Sequence, residues 1–239
     1  MKLTKQAWAI LAAGIISVCT AAQVSRAAIT TIFDRDDSSS FMFSYPNSQA
    51  AYNTFTSSLG FFGLSTIDAA TPGANPTLSF PSTVVTATTS SVNASANPGF
   101  MIGSQSLQEG DLFGPPTANS VFNFSHYLTA FGLYVIQGGD GANDNLVKFR
   151  LTNTAASTFV DVPVQVGPGW GFDNVFFFGI TDSNPFNQVT IIESNIDAGG
   201  DLFDGMLFDN IVIRAIPEPS SLALMTLGAC LLGRLRRRR

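Results

Sequence analysis

A Ser-His-Asp triad in this chain would have to use a single histidine. His126 is the only histidine, and it follows Ser125 in a hydrophobic stretch. A serine and a histidine make a hydrolytic triad only when a carboxylate orients the imidazole. No serine lies in a Gly-x-Ser-x-Gly segment, the usual nucleophile turn of hydrolases. A lone histidine beside a predicted strand indicates a structural role, so the sequence predicts no catalytic residue and no enzyme.

A metal-binding hypothesis comes from the acidic segment DLFDGMLFDNIVI. In strand alternation, Asp209 shares a face with Leu207, Ile211 and Ile213. A carboxylate on an apolar face is costly unless it is paired or binds a metal. Asp209 is therefore a candidate ligand of a structural Ca²⁺, with Asp34 near the first strand as a second ligand. The alternative is an aspartate that is exposed or accepts backbone N–H groups, and no other cofactor is predicted.

Trp170 is a candidate for contact with sugars. It lies in the segment GPGWG, and the glycines on both sides predict a loop that displays the ring or folds over it. An exposed aromatic ring offers a large flat surface of defined geometry on which a sugar can stack. The alternative is a ring that covers the edge of the core.

Strands must position these residues. Short runs rich in Thr, Val and Phe alternate with clusters of Gly, Asn, Pro and Ser, which is typical of an all-β domain with antiparallel strands. The predicted strands are 29–33, 41–45, 77–80, 83–89, 120–125, 127–136, 146–153, 157–164, 175–181, 186–194 and 206–213.

One short helix is predicted early in the chain, in the segment NSQAAYNTFTSSLG that follows a proline. Asn47 or Ser48 is the predicted N-cap, and Gly60 is the predicted end. Residues Tyr52, Phe55 and Leu59 share one face of this helix. The fold class predicted is therefore all-β, an antiparallel β-sandwich with one short early helix.

The charge distribution limits the partners. Between residues 28 and 219 the chain has four basic residues against all 17 acidic ones, which gives −13 for this stretch. Nucleic-acid binding needs clustered cations, so the sequence predicts no nucleic-acid partner. Both cysteines lie in the apolar ends of the chain, which excludes a disulfide framework within the body.

The N-terminus has the pattern of a secretory signal peptide. Lys2 and Lys5 precede an uncharged stretch that ends in small residues. Cleavage is predicted between Ala27 and Ala28, with cleavage after Ala22 as an alternative. Such a segment leads a protein to the Sec export machinery; the other interpretation is an N-terminal membrane anchor.

The C-terminus combines three features in order. The tripeptide Pro217, Glu218 and Pro219 comes first, and an uncharged run over about 220–233 follows. This run is shorter than the ~20 residues that span a bilayer comfortably. Arginines end the chain and are expected to stay on the cytoplasmic side of the membrane; they are Arg234, Arg236, Arg237, Arg238 and Arg239.

This three-part segment resembles the PEP-CTERM sorting signal of exported bacterial proteins. The resemblance implies recognition by an exosortase, a membrane protease-transpeptidase, with cleavage at or near Pro217–Pro219. It also implies a host that makes exopolysaccharide. The alternative is a permanent tail anchor with an accidental Pro-Glu-Pro.

The body carries a weaker resemblance. The segments LSTID, FNFSHYLTAFGLYVI, FFFGIT, PFNQVTI and DGMLFDNIVI resemble those of the all-β domains that precede this sorting signal. Those domains look like jelly-roll modules of the carbohydrate-binding kind, and in several such modules an Asp on the last strand helps to hold a structural Ca²⁺. The resemblance therefore implies a jelly-roll-like sandwich.

Three regions follow: a signal peptide at 1–27, a β-sandwich domain at 28–214 and a sorting signal at 215–239. The signal helix and a C-terminal transmembrane helix flank the sandwich. The function predicted is that of an exported, non-catalytic protein of the envelope or exopolysaccharide matrix that contacts glycans. The alternatives are an extracellular hydrolase acting on polysaccharide and a permanently tail-anchored surface protein.

Overall fold

The computed structural model describes residues 28–38, 44–68, 70–95, 105–109, 119–136, 146–165, 173–193 and 206–217. The predicted signal peptide and the chain after Pro217 lie outside these ranges, and so does the predicted transmembrane helix. No helix within the described ranges is long and apolar enough to cross a membrane.

The described residues form twelve strands and one helix, and every strand pair is antiparallel. This agrees with the all-β prediction. The elements are β1 (Thr30–Ser38), α1 (Pro46–Leu59), β2 (Gly63–Ser65), β3 (Gly73–Ala74), β4 (Thr77–Ser79), β5 (Thr86–Ser90), β6 (Val92–Ser95), β7 (Ser106–Glu109), β8 (Ser120–Ile136), β9 (Leu146–Asn153), β10 (Thr158–Gln165), β11 (Asp173–Glu193) and β12 (Leu207–Ala215).

The long strands β8 and β11 take part in two halves of one continuous sheet. The start of β11 and the end of β8 lie side by side between β1 and β12, and we call this half the inner sheet. The end of β11 and the start of β8 lie between β9 and β5, with β10 and β4 at the edges, and we call this half the outer sheet.

The main core lies between the two sheets. Phe149 of β9 stacks on Phe178 of β11 with 4.5 Å between ring centroids. Phe122 at the start of β8 contacts Phe208 of β12 edge to face at 6.2 Å. Because each ring pair joins one sheet to the other, the two halves face one another as in a β-sandwich.

Helix α1 covers the other face of the inner sheet. Phe55 and Leu59 are buried against this face, and Tyr52 lies half-buried beside Tyr134. Gly60 ends the helix at φ +71°, as predicted from its freedom at positive φ. The three helical residues that the sequence placed on one face are therefore the ones that dock the helix.

The start of α1 differs from the prediction, because neither Asn47 nor Ser48 occupies the N-cap position, which belongs to Tyr45. The capping acceptor is Asp36 of β1, whose carboxylate accepts the backbone N–H of Asn47 at 3.1 Å and of Ser48 at 2.8 Å. The Ser48 hydroxyl also donates to Asp36 at 2.7 Å. A carboxylate at a helix N-terminus is stabilised by the free N–H groups and the helix dipole.

The sequence predicts two shorter strands in the place of β8 and two in the place of β11, but the structure has one continuous strand in each place. The segment TDSNP, predicted as a turn between two strands, continues β11 with a register shift between Thr181 and Phe186. The buried Asp182 accepts the N–H of Asn184 at 2.8 Å, which satisfies the backbone locally where the ladder is interrupted. A bulge therefore replaces the turn, and it lets one strand serve both sheets.

Candidate functional site

The sorting segment leaves the body at the end of β12. The backbone N–H of Ile216 donates to the carbonyl of Tyr127 at 2.9 Å, and Pro217 is exposed. This hydrogen bond fixes the chain to β8 one residue before the Pro-Glu-Pro tripeptide. Glu218, Pro219 and the arginine cluster lie outside the described residues. Ala28 is described and exposed, whereas Ala27 lies outside.

A cavity of about 460 Å³ lies where the chain leaves the body. Aromatic and proline side chains give it a largely apolar wall, and Asn153 adds an amide. Its lining residues are Ser125, His126, Tyr127, Asn153, Pro185, Ile216 and Pro217. We call it the junction pocket.

The junction pocket contains His126, the histidine that a triad would have to use, next to Ser125. Ser125 Oγ lies 2.9 Å from His126 Nδ1, and it accepts the N–H of Thr86 at 3.0 Å. The direction of the hydrogen bond between Ser125 and His126 depends on which ring nitrogen carries the proton. None of the described lining residues is an aspartate or a glutamate, so these residues do not assemble a triad.

Asp209 is buried in the inner sheet on the face of Leu207, as simple alternation predicts, but the two later isoleucines do not share this face. Asn210 adopts φ +48°, and the pairing with β8 shifts register between Asp209 and Val212. Because this bulge adds one residue, Asp209 shares a face with Leu207 and Val212 on the side of α1. Ile211 and Ile213 point into the main core instead, which corrects the prediction.

The carboxyl group of Asp209 is fully buried and only partly satisfied. Its Oδ1 accepts the N–H of Asn210 at 2.6 Å, whereas Oδ2 has no hydrogen-bond partner among the described residues. Burial is the main cause that raises the pKa of Asp209 from its usual 3.8 to about 8; the hydrogen bond from the N–H of Asn210 lowers the pKa, and the charge of Asp68 raises it. The side chain is therefore poised to hold a proton near neutral pH.

Other buried oxygens near Asp209 also lack partners. The register of β12 with β7 pairs Phe208 with Leu107, and one further step brings Asp209 beside Ser106. Ser106 Oγ and Gln105 Oε1 have no hydrogen-bond partner within the described ranges. Gln105 in turn donates its backbone N–H to Asp68 at 3.1 Å. The register thus places the Ser106 hydroxyl as an acceptor for a proton that Asp209 carries.

The structure does not bring Asp34 and Asp209 together. Asp34 pairs with Phe177, Phe177 with Tyr134, and Tyr134 with Asp209. Three strand spacings of ~4.8 Å separate them by about 14 Å, and Asp34 is exposed. Calcium takes six to eight oxygen ligands, and among the described residues no group of three or more His, Cys, Asp or Glu is arranged to hold a metal. The described residues do not fit the paired site, and calcium at Asp209 stays a prediction.

The outer face of the outer sheet is polar and exposed. Gln188 donates to Asn123 at 2.7 Å across β11 and β8. Towards β10 the face carries the exposed ring of Phe159 beside the ion pair of Arg150 with Asp161. Trp170, the predicted sugar contact, lies outside the described residues. This polar face of the sheet can thus present groups that bind sugar hydroxyls to an extended ligand.

Comparison with known protein families identifies the C-terminal segment of the chain as a sorting motif. Residues 215–239 match the PEP-CTERM protein-sorting motif. The match confirms the sorting signal predicted from the Pro-Glu-Pro tripeptide, the apolar run and the arginines. It begins at Ala215, the last residue of β12, so the sorting motif directly continues a strand of the body. No curated protein matches the chain at a significant level.

Among solved structures, the body is similar to three carbohydrate-binding proteins. The first is the CBM22-1–GH10 part of endo-1,4-β-D-xylanase 10B from Clostridium thermocellum, complexed with xylohexaose, at 12% identity and TM-score 0.30, over 54% of this chain but only 25% of that one. The second is the CBM22-1 xylan-binding domain of Xyn10C from Paenibacillus barcinonensis, at 13% identity and TM-score 0.28, over 65% and 94% of the two chains. The third is TmCBM61 with β-1,4-galactotriose, at 10% identity and TM-score 0.26, over 54% and 88%. TM-scores of this size do not establish a shared fold or ligand.

Proposed function

We propose that this protein is exported by the Sec machinery, processed by an exosortase, and then acts as a non-catalytic component of the cell envelope or exopolysaccharide matrix. The observation that carries the proposal is the sorting motif that begins at Ala215, the end of the last strand. Because Ile216 is hydrogen-bonded to the body, cleavage at or near Pro217 would leave every described strand intact.

Contact with glycans is the role we propose for the mature body. The outer face of the outer sheet offers hydroxyl and amide groups in ordered rows, including the Gln188–Asn123 pair. Such groups bind sugar hydroxyls as both donors and acceptors. Trp170 remains a predicted further contact.

Catalysis is not part of the proposal. The Ser125–His126 pair is the described arrangement that comes nearest to hydrolytic chemistry, and the described lining of its pocket supplies no carboxylate. Polysaccharide hydrolysis would instead require two facing carboxyl groups on either side of a bound sugar. A hydrolase would lose turnover of polysaccharide on replacement of His126 or of such an aspartate.

Replacement of Pro217, Glu218 and Pro219 by alanine tests the processing step. We expect this variant to accumulate in the membrane fraction as an uncut precursor, because the exosortase no longer recognises it. Immunoblotting of membrane, envelope and medium fractions with an antibody against the body measures this.

A Pro163→Ala variant is the matched control, since Pro163 is an exposed proline of β10 outside the motif. It should be processed like the wild-type protein. Normal processing of the triple-alanine variant would show that the tripeptide is not the recognition element.

A further inference from the structure

We propose that Phe159, Arg150 and Lys148 form a binding site for an acidic polysaccharide on the outer face of the outer sheet. The inference rests on the proposed glycan contact and deepens it by naming the residues and the class of ligand. It depends on three features of this face: a fixed and exposed aromatic ring, a local excess of positive charge, and a continuous row of neutral polar side chains.

The ring of Phe159 is exposed and held in place. It is 62% exposed, and the guanidinium carbon of Arg150 lies 4.3 Å from its centroid. Arg150 is itself fixed, because Nε and Nη2 donate to the two carboxylate oxygens of Asp161 at 2.7 and 2.9 Å. The guanidinium therefore covers one face of the ring and leaves the rest of it to solvent.

An aromatic ring in this position suits the C–H face of a pyranose. The C–H groups on one face of a sugar ring carry partial positive charge, and the π face of phenylalanine is negative. A ring that is already held by a cation–π contact loses little conformational freedom when a ligand stacks on it. Phe159 is thus preorganised for such contact.

The charge around Phe159 has the opposite sign to the body as a whole. Lys148 and Arg150 are two of the four basic residues between positions 28 and 219, a stretch that carries −13. Alternation along β9 places both on one face, and Asp161 is the acidic residue that the described strands place with them. Arg150 lowers the pKa of Asp161 through its hydrogen bond, and Lys148 adds to the effect electrostatically.

Most of this body repels a polyanion, whereas this face carries Lys148 in addition to the ion pair of Arg150 with Asp161. With Lys148 and Arg150 against Asp161, the described part of the outer face has a net charge of +1. Carboxylate groups of a polysaccharide complement these cations, and charge complementarity of this kind selects the docking position. The ligand class is therefore a polysaccharide with carboxylated sugars rather than a neutral one.

A row of paired residues leads from Phe159 across the sheet. Phe159 pairs with Thr152, Thr152 with Gln188, and Gln188 with Asn123. The row continues through Thr88 to Thr77 of β4, and five strand spacings of ~4.8 Å give it a length of about 24 Å. A polysaccharide chain lying across the strands would meet a hydroxyl or amide group at each step after the ring.

Affinity gel electrophoresis of the purified mature protein tests the site. The probes are polygalacturonate as the acidic polysaccharide and β-1,4-galactan as the neutral one. We expect retardation by polygalacturonate, weakened by added salt because exposed charges are screened. The Phe159→Ala variant should bind about tenfold more weakly, from loss of the stacking surface, and Lys148→Gln about threefold more weakly.

Phe61→Ala is the matched control, because Phe61 is 68% exposed and follows α1 on the other side of the inner sheet. It should bind like the wild-type protein. Equal binding by Phe159→Ala and Phe61→Ala would overturn the site while leaving glycan contact in place. Retardation by galactan but not by polygalacturonate would overturn the acidic class. Retardation by neither would overturn both the site and the proposed glycan contact.

Discussion

The Asp209→Asn variant should be more stable than the wild-type protein by about 4 kcal/mol at pH 7, and nearly equal to it at pH 4. The wild-type carboxyl group is buried and its pKa is raised from 3.8 to about 8. Below pH 4 both the folded and the unfolded states carry the proton. Above pH 4 the unfolded state releases it, while the folded state keeps it until pH approaches 8.

The contribution of Asp209 is therefore complete below pH 4 and is lost as pH rises towards 8. Each pH unit in this interval costs the folded state about 1.4 kcal/mol. Asparagine does not titrate, and its amide N–H₂ can donate to the Ser106 hydroxyl, which lies opposite and lacks a partner among the described residues. The variant should thus keep the packing and remove the pH dependence.

Guanidinium unfolding at several pH values, in the presence of EDTA, measures this difference. Asp34→Asn is the control, because Asp34 is an exposed carboxylate on the same sheet and should leave the wild-type slope unchanged. A slope that survives in Asp209→Asn would contradict the account. So would strong stabilisation of the wild-type protein, but not of the variant, by added calcium, because that would make Asp209 a metal ligand.

The Phe55→Ala variant should lose about 4 kcal/mol of stability. Phe55 is 1% exposed, and its ring fills the space between α1 and the inner sheet above two paired glycines, Gly132 and Gly179. A Cβ at Gly179 would lie 2.5 Å from Phe55 Cδ2, and one at Gly132 would lie 2.8 Å from Cε1. The ring therefore occupies the room that the two missing side chains leave.

Gly179→Ala alone should cost about 2 kcal/mol, because the ring must shift to admit a methyl group. In the Phe55→Ala background the same substitution should cost almost nothing, since the methyl then enters the cavity. Thermal or denaturant unfolding of the two single variants and the double variant measures the coupling. Additive effects would show that the ring does not rest on Gly179, and Phe61→Ala, at an exposed site, should change stability by less than about 0.5 kcal/mol.

The strands and the helix could be predicted because their signals are local. The run Thr158–Val164 alternates inward valines with outward Phe159, Asp161 and Pro163, and this period of two is the pattern of a half-buried strand. Helix α1 begins with a proline and is ended by a glycine, both of which are local signals. The same alternation in β9 and β10 predicts which face Arg150 and Phe159 occupy within their strands. It does not predict the strand register that brings the two side chains into contact.

The long-range contacts could not be predicted in the same way. Asp36 of β1 caps α1 from a distant point in the chain. The residues next to the start of the helix predict Asn47 or Ser48 as the N-cap instead. The bulge at Asn210 reverses every later side chain in the strand, so Ile211 and Ile213 leave the face that Asp209 shares with Leu207. The segment TDSNP has turn-forming residues, but tertiary pairing with β8 keeps it within β11.

Mass spectrometry of the mature C-terminus tests the central claim most directly. In a host with a working exosortase, the protein should end at or near Pro217–Pro219, without the apolar run and the arginines, whereas a host lacking the exosortase should retain the full chain. An intact Arg239 on the protein recovered from the host with the active enzyme would contradict the account and would make the C-terminal segment a permanent anchor.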